Sequence, residues 1–266
     1  MKFRKAVAVL MTLIMILGIA ALTTGCLGKQ ESTEEKKLVV GLDDTFAPMG
    51  YRDEAGDLVG FDIDLAKAVG EELGMKIEFK PINWDAKELE LESGNIDCIW
   101  NGMSQTPERE KAMELSKKYL DNKIIIMTLS DDVNVEKAAD LSKYNIGTQA
   151  KSSALEVLTA NEEYESFKGK ITEYGSYDDA ILDLKAGRLD VVVIDQVLGE
   201  FKNKNMDGVL KVCKLDLGDD FYVIGFKKGN TDLRDKVNDA IKKLIDNGKA
   251  KEISEKWFGK DIVVFK

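Results

Sequence analysis

The chain has no histidine, only three cysteines and only three prolines among its 266 residues. Without histidine, every histidine-dependent catalytic triad is excluded, and with it the commonest transition-metal ligand. Cys26, Cys98 and Cys213 stand far apart, so no CxxC spacing for zinc or redox chemistry exists. No GxSxG, P-loop or HExxH stretch occurs either. Acidic side chains outnumber basic ones 48 to 38, a net charge of -10, and such a chain has nothing with which to neutralise a run of phosphates. That balance argues against a nucleic-acid partner, and no metal or cofactor is expected. What is present is a globular balance, 44% hydrophobic and 32% charged, long enough for one large domain or two modest ones.

The one long apolar run is at the start. Lys2, Arg4 and Lys5 precede Ala6 to Leu22, which is apolar or small and broken only by Thr12 and Gly18. A basic flank, a short apolar core and small residues at its end make an export signal. The alternative is a permanent anchor helix, for which the run is at the lower edge of length. Leu22-Thr23-Thr24-Gly25-Cys26 resembles a bacterial lipoprotein signal, with residues 1–25 removed and Cys26 diacylated as the new N-terminus. Thr23 stands where such signals usually have leucine. Removal takes away three positive and no negative charges, leaving a net -13. Residues 26–37 are polar without apolar periodicity and read as a flexible tether. No second apolar run of membrane length follows. The body is expected on the outer face of the cytoplasmic membrane. There Cys98 and Cys213 have the option of pairing, although Cys98 lies in an apolar strand pattern and fits a buried thiol.

From Leu38 onward strand-like and helix-like stretches alternate. Leu38-Val39-Val40-Gly41 reads as a buried strand. Phe61, Leu65, Ala66, Ala68, Val69 and Leu73 follow helical spacing up to Gly74. Lys76 to Phe79 alternates as a strand, and Thr106-Pro107 opens a helix with a capping hydroxyl and proline in its first turn. This pattern predicts an α/β fold with largely parallel sheets. One unit is written twice. Asn83–Gly102 aligns with Ser176–Asp195 at an offset of 93, each copy running helix, glycine, turn aspartate, buried strand. Two similar lobes are the inference, although the unit is common in α/β proteins. Ligands of open α/β sheets bind beyond the carboxyl ends of strands. Asn101 to Ser104 in one copy and Asp195-Gln196 in the other would then face one cleft.

Three stretches make the reading specific: Val40 to Met49 leading into Gly60-Phe61-Asp62-Ile63-Asp64-Leu65-Ala66, Asn101-Gly102-Met103-Ser104-Gln105-Thr106-Pro107-Glu108-Arg109, and Trp257-Phe258-Gly259. In order and spacing the chain resembles the extracellular solute-binding proteins, family 3, that serve ABC importers of polar amino acids, from about Leu38 to Gly259. The resemblance implies a two-lobed type II periplasmic-binding-protein fold, with two crossover hinge strands near Ile124–Met127 and Phe221–Ile224. Lobe one would be 38–124 with 221–266, and lobe two 125–220. It implies a monomer that closes on a free amino acid and delivers it to membrane permease subunits.

The resemblance also implies site residues. Arg109 matches the carboxylate-binding arginine, and a guanidinium fork grips a carboxylate bidentately. Its alternative is a surface arginine beside Glu108 or Glu110. Asp195 matches the acceptor of the ligand ammonium; its alternative is to cap the following helix. Ser104 and the backbone of Gly102 match groups sharing the ligand's polar head, and Asn101 stands where serine is frequent. Phe46 and Trp84 match positions flanking the ligand side chain, with a core role as the alternative. Asp43 is placed to meet a polar or basic ligand end. Ser152 and Ser153 match a hydroxylic pair at a helix start, with Lys151 where glycine is common. The rival readings are an amino-acid sensor for a separate receptor and a dehydratase-like enzyme on the same fold. The ligand class expected is a polar or basic amino acid.

Overall fold

A computed structural model describes residues 36–266, so the leader, Cys26 and most of the tether lie outside the described residues. The first strand, β1 (Lys37–Leu42), begins on the last residue assigned to the tether. Strands β2 (Thr45–Phe46), β3 (Gly50–Arg52) and β4 (Leu58–Val59) then form a small antiparallel sheet. Helix α1 (Phe61–Leu73) buries Phe61, Leu65, Ala66 and Val69 and stops at Gly74, whose φ of 62° a side chain would resist. There follow β5 (Lys76–Pro81), α2 (Lys87–Glu92), β6 (Cys98–Ser104), α3 (Pro107–Ala112) and β7 (Met113–Leu115). β8 (Leu120–Thr128) leads to β9 (Ile146–Gln149), α4 (Ser153–Thr159), α5 (Tyr164–Phe167) and β10 (Ile171–Tyr174). Next come α6 (Tyr177–Lys185), β11 (Val191–Asp195), α7 (Gln196–Lys204) and β12 (Lys211–Val212). β13 (Asp219–Lys227) leads back to α8 (Thr231–Asp246) and α9 (Lys249–Phe258), which pack on α1.

The main sheet runs β10-β9-β11-β8-β13-β6-β1-β5. Each lobe has a parallel trio, β5-β1-β6 in one and β10-β9-β11 in the other. The sequence repeat builds the third strand of each trio. Its two glycines, Gly94 and Gly187, end their helices at φ 75° and 72°. Its two aspartates do one job twice: Asp97 accepts from the Val39 N–H and Asp190 from the Asn145 N–H, both at 2.7 Å. A backbone bond returns in each case, Asp97 N–H to Val39 C=O and Asp190 N–H to Asn145 C=O.

The parallel expectation holds within each lobe, and the two crossover strands add antiparallel pairing. β8 pairs with β13 through Leu120–Lys123 and with β11 through Ile124–Met127. β13 pairs with β8 through Asp219–Tyr222 and with β6 from Tyr222 onward. β8 changes partner at Lys123/Ile124, level with Asp219, and β13 changes at Tyr222, level with Leu120, so the shared segment Leu120–Lys123 with Asp219–Tyr222 lies between the two changes. One apolar cluster runs from Leu38, Phe61, Trp100 and Val237 in the first lobe to Tyr177, Leu184 and Leu198 in the second, and a separate one in the second lobe holds Ile146, Leu158, Phe167 and Val193. Burying each such side chain contributes about 1.5–3 kcal/mol. Cys98 is buried, Cys213 is half-buried, and both are free thiols. No helix among the described residues is long and apolar enough to cross a membrane.

Asp62 explains part of the Gly-Phe-Asp-Ile-Asp stretch. It is buried in the first turn of α1, where its Oδ2 accepts from the Gly102 N–H at 2.7 Å and the Tyr119 hydroxyl at 3.0 Å. Its Oδ1 has no partner among the described residues. Burial raises its pKa to about 7, against the opposing effect of those hydrogen bonds. Between the ordinary carboxylate range and about pH 7 the folded protein keeps a proton that the unfolded chain releases. This contribution to stability is fully present at low pH and is lost as pH rises through about 7. Asp62→Asn keeps an acceptor and removes the charge. In urea unfolding the variant should be more stable than wild type at pH 8, by on the order of 1–3 kcal/mol, with the difference shrinking toward pH 4. An equal difference at both pH values would contradict an ionised, poorly compensated Asp62.

Candidate ligand-binding site

Eight of the ten predicted site residues converge on one small cavity between the lobes. Phe46, Trp84, Gly102, Ser104, Arg109, Ser152, Ser153 and Asp195 line it, together with Gln149, and it measures about 10 Å³. That is room for about one water molecule, so an amino acid enters only when the lobes separate. A far larger concavity, about 1030 Å³, runs along the crossover strands and the C-terminal segment and holds none of the predicted residues. Its walls are mixed surface charges and apolar edges, and the buried polar side chain among them, Asn122, is committed to Asp195 and Asp220. The chemistry is in the small cleft.

Arg109 is held by its own helix start. Thr106 Oγ1 accepts from the Arg109 N–H at 3.3 Å, and Pro107 opens the helix. The side chain is 3% exposed, which excludes the surface role beside Glu108 or Glu110. Its Nη1 donates to Ser104 C=O at 2.8 Å and its Nη2 to Lys151 C=O at 3.1 Å across the cleft, with Glu156 Oε1 at 3.4 Å. Its Nε has no partner among the described residues. Lys151 is in the left-handed region at φ 55°, the reason glycine would suit that position. The strain, about 1–2 kcal/mol for a side-chain-bearing residue, aims its carbonyl at lobe one.

Asp195 ends β11 at the start of α7, but it makes no side-chain cap bond to that helix. Its Oδ1 instead accepts from Asn122 Nδ2 at 2.9 Å and the Tyr222 hydroxyl at 3.1 Å. The same Asn122 nitrogen donates to Asp220 Oδ2 at 2.7 Å, so two buried carboxylates share one donor. Burial pushes both carboxyls up, and the charge of Asp220 adds to the effect on Asp195. A cation between them relieves both costs. Ser104 Oγ donates to Asp220 at 2.6 Å and lies 2.8 Å from Ser153 Oγ of the opposite lobe. Ser152 caps α4, its Oγ accepting from the Leu155 N–H at 3.1 Å.

Gly102 has φ 55°, and a Cβ there would come within 2.7 Å of the Phe46 ring. Its N–H is committed to Asp62, which leaves its carbonyl as the polar group it can offer. Phe46 packs between Tyr177 and Tyr222, with ring centroids 6.2 and 6.5 Å away. Trp84 is 8% exposed and belongs both to a core cluster and to the cavity wall. Asp43 borders the cleft through Gln149, whose Nε2 donates to its Oδ2 at 2.7 Å. Asn101 does not line the cavity. Its Oδ1 accepts from the Asp43 N–H at 3.2 Å, and its amide lies where a Cβ on Gly50 would meet it. Strand alternation turns it to the opposite face from the cleft.

Lys87, Gln149, Glu156 and Asp220 were missed; Gln149 lines the cavity, and the other three stand behind its wall in contact with residues that line it or with Lys151. Lys87 is 1% exposed, its Nζ 3.1 Å from Lys151 C=O, 3.3 Å from Trp84 C=O and 4.9 Å from the centre of the Trp84 ring. Nothing local marked these four: each is one polar residue among many, and each acts on a partner far away in the chain.

The family model for bacterial extracellular solute-binding proteins, family 3, matches residues 38–260. The L-cystine-binding protein TcyJ of Escherichia coli is 27% identical, over 97% of each chain. The arginine-binding extracellular protein ArtP of Bacillus subtilis is 29% identical, over 92% of this chain and 97% of its own. Among solved structures, an ABC uptake transporter substrate-binding protein from Streptococcus pneumoniae with bound histidine superposes with a TM-score of 0.80 at 35% identity. The match covers 86% of this chain and 94% of that one.

Proposed function

Because this chain belongs to family 3 of the bacterial extracellular solute-binding proteins, we propose that it captures a polar or basic amino acid outside the cell and delivers it to the permease of an ABC importer. The observation that carries this reading is the placement of Arg109 and Asp195, oppositely charged and buried on opposite lobes of one cleft. An α-amino acid has a carboxylate and an ammonium on one carbon, so a single small molecule can bind both. Arg109 takes the carboxylate with Ser152 and Ser153. Asp195 and the Gly102 carbonyl take the ammonium, with Asp220 adding negative charge through Ser104 and Asn122. Phe46 and Trp84 flank the ligand side chain, and Asp43 meets its polar end.

The lobes are 38–124 with 221–266, and 125–220. The change of strand partners at Lys123/Ile124 in β8 and near Tyr222 in β13 supports those limits. The protein acts as a monomer, since a bilobed clamp needs no second copy to complete its cleft. Opening pivots on these two strands, and closure adds the contacts across the cleft.

A thermal-shift screen of the twenty amino acids, cystine and ornithine should reveal the ligand, because binding to the folded form alone raises its apparent stability. Arg109→Lys keeps the charge and loses the fork, and the affinity for that ligand should fall by roughly 2–4 kcal/mol. Unchanged affinity in that variant would remove Arg109 from the site.

The leader is cleaved before Cys26, which carries two acyl chains that anchor the protein, since one chain alone binds a membrane marginally. Cys26→Ala should release protein to the medium or leave it unprocessed, read by fractionation and intact mass. Normal processing with unchanged membrane attachment would contradict lipidation.

A further inference from the structure

We propose that Lys87 is a second cation of the ligand-carboxylate subsite, acting beside Arg109; the assignment rests on the amino-acid reading above. Lys87 starts α2 in lobe one and is almost fully buried. Its Nζ reaches across the cleft to the Lys151 carbonyl at 3.1 Å, and Arg109 Nη2 lies 3.1 Å from the same carbonyl. Two cations from one lobe thus converge on a single acceptor of the other. An oxygen drawn to two cationic donors occupies the place of an anion's oxygen, here filled by a main-chain dipole.

The charges around this point call for an anion. Lys87 Nζ otherwise has the Trp84 carbonyl and the Glu88 carboxylate at 3.2 Å, and Glu88 is a partly solvated group. Arg109 still has its Nε unpartnered among the described residues, and the one carboxylate there within ion-pair distance, Glu156, is 3.4 Å away. A main-chain carbonyl offers one partially charged oxygen to two full charges. A carboxylate offers two oxygens and a full negative charge, enough for the guanidinium and the ammonium together. The state of Lys87 agrees with this shortage: burial and the Arg109 charge lower its pKa to about 8, with Glu88 and Glu156 acting the other way. A lysine that merely fastened α2 to the turn before it would need only the Trp84 carbonyl and ring, both within lobe one. The reach to Lys151 is the added feature. The inferred class of ligand has a free α-carboxylate, and a carboxamide in its place should be rejected by two residues rather than one.

The test uses Lys87→Met, which keeps the length of the side chain and removes its charge. Calorimetric titration of the twenty amino acids and cystine identifies the tightest binder of wild type, and its α-amide is then prepared. Lys87→Met should weaken the free amino acid by about 10–100-fold. It should weaken the already poor amide by less than about threefold, because that ligand has no charge to lose. The melting temperature of the unliganded variant should not fall, since a buried, weakly compensated charge has been removed. Equal weakening of acid and amide would overturn the assignment in favour of a latch that only holds the lobes together. Unchanged affinity with a lowered melting temperature would overturn it in favour of a structural lysine. If wild type binds no amino acid of the panel, the amino-acid reading itself fails; if wild type binds and Lys87→Met binds equally, only the role of Lys87 fails.

Discussion

A guanidinium cannot shed its charge, and Arg109 carries one into a joint between two lobes where water barely reaches. Much of the cleft is arranged around that constraint. The Thr106-Pro107 start fixes the helix that carries the side chain. The Ser104 and Lys151 carbonyls accept two of its N–H groups, and Lys151 adopts a left-handed backbone to do so. Across the cleft Asp195 and Asp220 form the opposite pole, two buried carboxylates held to one amide of Asn122. Neither pole is well balanced by its own lobe. A zwitterion is the small molecule that would balance both, which is the physical ground for the proposed binding of an α-amino acid.

The two poles are connected by only two strands. β8 and β13 pair with each other at one level and then part to serve different lobes. Such a joint is a hinge of two strands about which the lobes can move as units. The free energy that favours closure comes from the contacts between lobes, including Ser104 to Ser153, Gln149 to Asp43 and the cations on Lys151. A ligand shifts the balance only by what it adds to the closed form.

Local pattern revealed much of this in the sequence. The helix ending at Gly74, the start at Thr106-Pro107 and the duplicated helix–glycine–aspartate–strand unit follow from propensity and periodicity, which act within a few residues. The duplicated aspartates proved to tie two adjacent strands of each trio together, β1 to β6 and β9 to β11, a role the spacing alone did not disclose. Arg109 and Asp195 came from resemblance, and the structure places them on one cavity. Asn101 came from the same source, yet strand alternation puts it behind the cleft, holding Asp43. Lys87, Gln149 and Asp220 were illegible because their roles depend on partners 64, 106 and 116 residues away. A lysine in a charged helix looks like a solvated one until the opposite lobe is laid over it.

The central claim is that one amino acid bridges a cation on one lobe and carboxylates on the other and so closes the clamp. Small-angle scattering of the lipid-free protein, titrated with the amino acid that stabilises it most, tests this directly. The account predicts that the radius of gyration contracts on saturation in wild type, and contracts less in Asp195→Ala at the same sub-saturating concentration. A wild-type radius that stays constant from zero to saturating ligand, while binding is measured in the same sample, would contradict it.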